Sequence, residues 1–190
     1  MRHLIVIIIT LLMTQPIYVK GDNNQLYKQL DAALAQRAHY IELKEKSLND
    51  IKQGAKYVTS NEDKLKLYEQ LANDYKAYEY DSAMTYVNKG LLLAQKSNNI
   101  LFNKRFRLSQ TRLLITRGFY AEAKEILQKI APKEDSHNYQ FLYYYTLYEL
   151  YNNWAAYCES NEFSKNYNQK KMEYLKKAIE LSPKKDAFYY

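Results

Sequence analysis

Cysteine, glycine and proline are scarce in this chain: among 190 residues there are one Cys, four Gly and three Pro. A single cysteine excludes an internal disulfide framework and any cysteine-built zinc cage. So few glycines and prolines cannot supply the turns of a many-stranded β protein, a Rossmann fold or a low-complexity tail. Gly21, Gly54, Gly90 and Gly118 lie too far apart to form a phosphate-cradling loop. His39 and His137 have no His-x3-His partner, and no G-x-S-x-G turn is present. Carboxylates read as solvated helix-face charges beside lysines, as at Glu42, Glu45 and Lys46. These absences predict a protein that is not an enzyme, with no catalytic residue, no cofactor and no metal. The length suits one domain with a sizeable core.

Long apolar runs are scarce too. The only one of note is Leu4 to Met13, behind Arg2 and His3. Ten helical residues reach about 15 Å, half of a bilayer core. A basic start, a short apolar run and then Pro16 read as a secretory signal peptide, residues 1–21, with Val19 and Gly21 as the small residues before the cut. The competing reading is an N-terminal core element. No cysteine follows the run, so lipid anchoring on cysteine is not expected, nor is membrane insertion after cleavage. Cleavage removes Arg2 and Lys20 and no acid, so the net charge falls from +7 to +5. An exported, mildly basic chain is a poor candidate for nucleic-acid binding. Cys158 then reads as a lone buried thiol, or else as an intermolecular or reactive one.

What the sequence has in plenty is helical periodicity. Tyr27, Leu30, Leu34, Ile41, Leu48, Ile51, Ala55 and Val58 form one stripe of a long helix over 25–58, with Arg37 and Lys44 interrupting a coiled-coil seam. Thr59 or Ser60 caps a second helix, with Glu62 and Asp63 in its first turn. A third carries Ala83, Val87, Gly90 and Ala94; a fourth runs from Ile100 to Arg117 and stops at Gly118. A fifth spans Ala121 to Ile130 before Pro132, a sixth Tyr139 to Cys158, and a last Gln169 to Leu181, after a polar stretch from Glu159 to Asn168. No strand-length alternation appears, so the expected fold class is all-α.

The segment Gly118-Phe119-Tyr120-Ala121-Glu122-Ala123, closed by Pro132, resembles the turn and second helix of a tetratricopeptide repeat. Asp81-Ser82-Ala83-Met84 with Gly90 resembles the same helix one unit earlier, and Ala178 followed by Pro183 resembles its end. The resemblance implies degenerate units at about 62–98, 100–132 and 139–183, stacked as antiparallel pairs in a right-handed superhelix. The 40-residue step from Ala83 to Ala123 implies a long intervening turn, and Glu159 to Asn168 reads as an insertion. The alternative is an unrelated bundle. The whole of 22–190 is expected to form a single helical-repeat domain.

The stretches Leu30 to Lys56 and Leu67 to Ala94 also resemble the exported N-terminal half of an uncharacterised family of bacterial envelope sensor–regulator proteins. That resemblance implies a periplasmic or envelope location and a sensing or scaffolding role. It also implies a membrane helix and a cytoplasmic regulatory domain that these residues do not include. The final Asp186 to Tyr190 reads as the start of a further helix, as in a truncated gene or an orphaned sensing module.

Stacked helix pairs line a concave groove with their first helices. With Ala72 and Thr111 at the small-residue site, Lys66, Asn73 and Lys76 from one unit and Arg105, Leu108 and Arg112 from the next face it. Tetratricopeptide grooves that clamp peptide carboxylates use such residues, because forked donors fit a carboxylate; the plainer reading is of solvated basic residues. The other surplus is tyrosine: 21 residues, and nine aromatics in the nineteen residues from Tyr139 to Tyr157. Tyr143, Leu147, Leu150, Trp154 and Tyr157 share one helix face, and Phe141, Tyr144, Tyr145 and Tyr148 nearly the opposite one. Packing between neighbours explains this pattern; a recognition surface at Tyr144, Tyr145 and Tyr148 is the alternative. The expected partner is a peptide or protein, or a second copy bound through the Tyr27–Val58 helix. A small molecule or glycan on the tyrosines is the second reading.

Overall fold

The computed structural model describes residues 23–133, 135–158 and 162–182. The expected signal peptide and the segment from Pro183 to Tyr190 lie outside the described residues. By its contacts the chain divides into two compact units, Met1–Ile51 and Lys52–Tyr190, and each is described by itself. Among the described residues there is no strand, and the all-α expectation holds.

The described part of the first unit is α1, Asn23–Gly54, up to Ile51; the last residues of that helix and the short 3-10 turn after it, Ala55–Tyr57, belong to the second unit. The helix is as long as its period suggested. Yet Leu26, Tyr27, Leu30, Leu34, Tyr40 and Leu43 are all at least half exposed. Tyr27, Leu30 and Leu34 therefore lie in solvent instead of along a buried stripe.

Among the described residues the second unit holds six further helices: α2 (Asn61–Tyr75), α3 (Tyr80–Lys96), α4 (Ile100–Thr116), α5 (Tyr120–Lys129), α6 (His137–Tyr157) and α7 (Glu162–Glu180). α2 pairs with α3, α4 with α5, and α6 with α7. α2 touches α4 and α4 touches α6, so the first helices of the three pairs stand side by side. α4 also rests on α3, and α6 on α5. Each pair has apolar residues on two sides, and stacking covers them.

Local chemistry sets the ends. Ser60, Asn99 and Ser136 cap α2, α4 and α6 by accepting the backbone N–H of Asp63, Phe102 and Tyr139. The second helices α3 and α5 start from Glu79 and Phe119 without a side-chain cap. After α4 the chain reverses at Gly118, whose φ of +81° suits a residue without a Cβ. Its N–H reaches Ile115 O, and that of Phe119 reaches Leu114 O.

Two expectations are corrected. The extra length between Ala83 and Ala123 is not in a turn: only residues 97–99 separate α3 from α4, and these helices have 17 residues each. Nor do the described residues of the polar stretch, Glu162 to Asn168, form an inserted loop. α7 begins at Glu162, and Ser164 is already buried, with Asn168 Nδ2 donating to Ser164 O at 2.9 Å.

The core runs through all three pairs. Leu65, Leu71, Ala83 and Val87 give way to Phe106 and Leu113, and these to Leu127, Tyr143 and Leu150. The tightest approach is at Gly90 on α3, where a Cβ would lie 2.2 Å from Phe106 Cζ. Further on, the tyrosines take over. Rings run in contact from Tyr139 through Tyr143 and Tyr144 to Tyr174 of α7, then by Tyr151 and Trp154 to Tyr120 of α5. Buried hydroxyls need partners. Tyr139 Oη donates to Ile130 O at 2.7 Å, and Tyr143 Oη to Leu127 O at 3.2 Å, so two tyrosines of α6 satisfy the last carbonyls of α5.

Two outcomes follow from this packing. Gly90→Ala should lower stability by roughly 1–3 kcal/mol in thermal or urea melts, although alanine is the better helix former, because the Phe106 ring is fully buried. Phe106→Leu added to that background should recover part of the loss. Burial pushes the Tyr143 hydroxyl up to about 12, and Tyr139 higher still. These folded-state values exceed the unfolded value near 10, so their contribution is intact below about pH 10 and is lost as pH rises through 12. Melting temperature should fall steeply over that window, and less steeply in the Tyr139→Phe/Tyr143→Phe variant.

Candidate functional site

α4 forms the floor of a groove walled by α2 and α6. A cavity of about 200 Å³ there is lined by Glu69 and Asn73 of α2, Arg105, Leu108, Ser109 and Arg112 of α4, and Leu142 and Thr146 of α6. Arg105 and Arg112 are two helical turns apart, so both project from one face of α4. They reach in opposite directions. Arg105 donates to both carboxylate oxygens of Glu69 on α2, with Nε to Oε1 at 2.7 Å. Arg112 donates to both of Glu149 on α6, Nε to Oε2 at 2.7 Å and Nη2 to Oε1 at 2.9 Å. Planar forks matched in this way give stronger bonds than single contacts.

A smaller recess adjoins this cavity. Asn73, Ser109 and Arg112 belong to both, and Lys76 lines the recess with Ala72 and Leu113. Loss of water around the Lys76 ammonium, and next the charge of Arg112, lower its pKa, while Glu149 opposes the shift. Lys104, on the same helix, instead pairs with Asp135 at 2.7 Å over the Tyr139 ring. That bond, followed by the backbone N–H of Lys133, lowers the Asp135 pKa.

Of the residues singled out from sequence, Asn73, Lys76, Arg105, Leu108 and Arg112 come together in the groove. Lys66 does not. It is solvent-exposed and pairs with Glu62 of its own helix at 2.8 Å. Ala72 and Thr111 are buried under the groove, as small residues at a helix crossing should be. The three tyrosines do not form one open surface. Tyr144 stacks on Tyr174 of α7, with Lys177 over its ring. Tyr145 lies beside Phe141 and Tyr148, with the Arg112 guanidinium 5.7 Å from its ring centre. Half-buried Tyr145 thereby backs Arg112 without lining the cavity, and Tyr144 is committed to packing.

Sequence reasoning missed Glu69 and Glu149, taking carboxylates for solvated charges beside lysines. Both are part-buried and held by arginines. The signal was their distance: Glu69 precedes Arg105 by 36 residues and Arg112 precedes Glu149 by 37, about one repeat. Ser109 and Thr146 were missed as well. Among the described residues there is no cluster of three or more metal-ligating side chains, and no helix long and apolar enough to cross a membrane.

Stacked helix pairs around a groove built from their first helices define a tetratricopeptide-type repeat domain. Domains of this type generally mediate protein interactions as scaffolds without catalysis. The family model described as the SusR N-terminal TPR domain matches residues 34–190. The chain belongs to that family and corresponds to the N-terminal part of a SusR-like regulator. No curated protein and no solved structure matches it.

The two arginine–glutamate pairs should behave as structural rungs. A double-mutant cycle on Arg112→Ala and Glu149→Ala, read by urea melts, should give a coupling of about 1–2 kcal/mol. The same cycle on exposed Lys66 and Glu62 should give a smaller one.

Proposed function

We propose that this chain is the exported sensing or scaffolding part of a bacterial envelope signalling system, acting without catalysis by binding a peptide or protein segment in the α2–α4–α6 groove. The observation that carries the reading is the groove's mixture of fixed and free polar groups. Glu69, Arg105, Arg112 and Glu149 are locked in pairs, which gives the walls a defined shape. Asn73 and Ser109 between them make no hydrogen bond within the described residues and are available to a ligand. An extended backbone offers matching donors and acceptors, and Leu108 and Leu142 give a side chain an apolar seat. Export is supported by the basic start, short apolar run and small residues at 1–21. The sensing role is supported by family membership.

A second mode of association is supported by α1. Six large apolar side chains exposed along one helix form the kind of face a second copy would cover. Sedimentation showing a dimer that Leu30→Lys/Leu34→Lys makes monomeric would bear this out, and a wild-type monomer would remove it.

The groove reading is tested with peptides selected against the purified chain. Ser109→Trp, which fills the groove, should weaken the selected peptides at least about tenfold, or about 1.4 kcal/mol. Lys66→Ala, outside the groove, should leave them unchanged. If both variants bind alike, the groove is not the site. An alkaline phosphatase fusion after Ser182 should be active in cells only with residues 1–21 present.

A further inference from the structure

We infer that α1 is covered by α1 of a second copy running in the opposite direction. The inference rests on the second mode of association proposed above, deepens it by naming the sense of the pairing, and does not depend on the groove.

At 100° per residue, Tyr40, Leu26, Leu30, Leu34 and Tyr27 lie on one side of α1, and Leu43 stands apart from them. Each of the five is at least half exposed. They fit a heptad seam, with Tyr27, Leu34 and Ile41 in one row and Leu30, Arg37 and Lys44 in the other. Leu26 and Tyr40 flank the second row. Further along the first row Leu48 is fully buried, so the uncovered stretch ends before it. Covering five such side chains on each of two copies removes on the order of 1,000 Å² from water, which is what a specific interface needs. An identical stripe has the right length and period to do so.

Charge then selects the direction. Arg37 is exposed within the stripe and makes no ion pair among the described residues. In a parallel pair in register, each row faces its own copy. Arg37 would then meet the second copy's Arg37, and Lys44 the second copy's Lys44, two like-charge layers in an apolar seam. In an antiparallel pair the rows exchange. With the two-fold axis between Ala35 and Gln36, Leu30 lies level with the second copy's Ile41, and Arg37 with its Leu34. The arginine stem then covers leucine while the guanidinium leaves the seam for water.

The flanks favour the same direction. Antiparallel pairing sets Tyr40 beside the second copy's Ala33, and Asp31 beside its Ala38, a larger side chain against a small one each time. Parallel pairing would set Leu26 beside Asp31 and Tyr40 beside Glu45, each against a carboxylate. It would also bring the two Asn49 residues to the same end, within about one helix spacing of 10 Å. Antiparallel pairing instead separates them by about 40 Å, at 1.5 Å per residue from the axis.

The test uses the purified chain with Cys158→Ser, which leaves no other thiol, and a spin label on Asn49→Cys, an exposed position. A thermal melt of each variant verifies folding. Sedimentation should show a dimer, and dipolar electron spin resonance a label separation of about 40 Å. Leu34→Lys should weaken dimerisation at least about tenfold and remove that separation. A dimer whose labels lie within about 25 Å overturns the inference and leaves association through α1 standing. A monomer at submillimolar concentration, or a dimer that Leu34→Lys leaves intact, overturns both.

Discussion

The seating of Phe106 on Gly90 places α4, and α4 is the helix from which the rest of the second unit takes its position. Without a Cβ on α3, the Phe106 ring descends to a distance that any other residue would forbid. That contact fixes how α4 lies on the first pair, and so fixes which of its faces looks across the groove. Arg105 and Arg112 project from that face, one backward to α2 and one forward to α6. A rotation of α4 by one residue, about 100°, would carry both guanidiniums away from their glutamates. Apolar packing thus sets the angle, and the ion pairs convert the angle into a groove of definite width.

This division of labour explains why the groove contains so much charge and so little free charge. Long cationic side chains in a concave site lose less entropy on binding if they are already held, and the glutamates hold them. The consequence is a wall of high polarity and low net charge.

The sequence carried much of the fold but less of the site, for reasons that differ from element to element. Ser60, the acidic pair after it, and Gly118 announce their helix ends through bonds to atoms three to five residues away, so local pattern is enough. The start of α7 was hidden because Ser164, Asn166 and Asn168 look like loop chemistry. The stripe of Tyr167, Tyr174 and Ala178 that decides the matter faces α6, a different part of the chain. Five of the six residues expected on the open face of α2 and α4 line the groove, since one repeat phase, anchored at Ala72 and Thr111, orders them all. Lys66 failed because it lies nearly two turns before Asn73, where Glu62 and Asp63 offer a nearer partner. Glu69 and Glu149 could only be found by assuming that successive first helices touch, which is a statement about stacking and not about any one helix.

The chain of aromatic rings has a consequence for how the molecule can be observed. Trp154 is the only tryptophan, and it is stacked among Tyr120, Tyr151 and Tyr167, with ring centres 5.6, 6.4 and 4.7 Å away. Those three tyrosines come from α5, α6 and α7. The one indole thus sits where three helices meet, so its emission responds to any change in how they pack against one another. Nature has in effect put a built-in optical gauge at the junction of the second and third helix pairs, readable in the unlabelled protein.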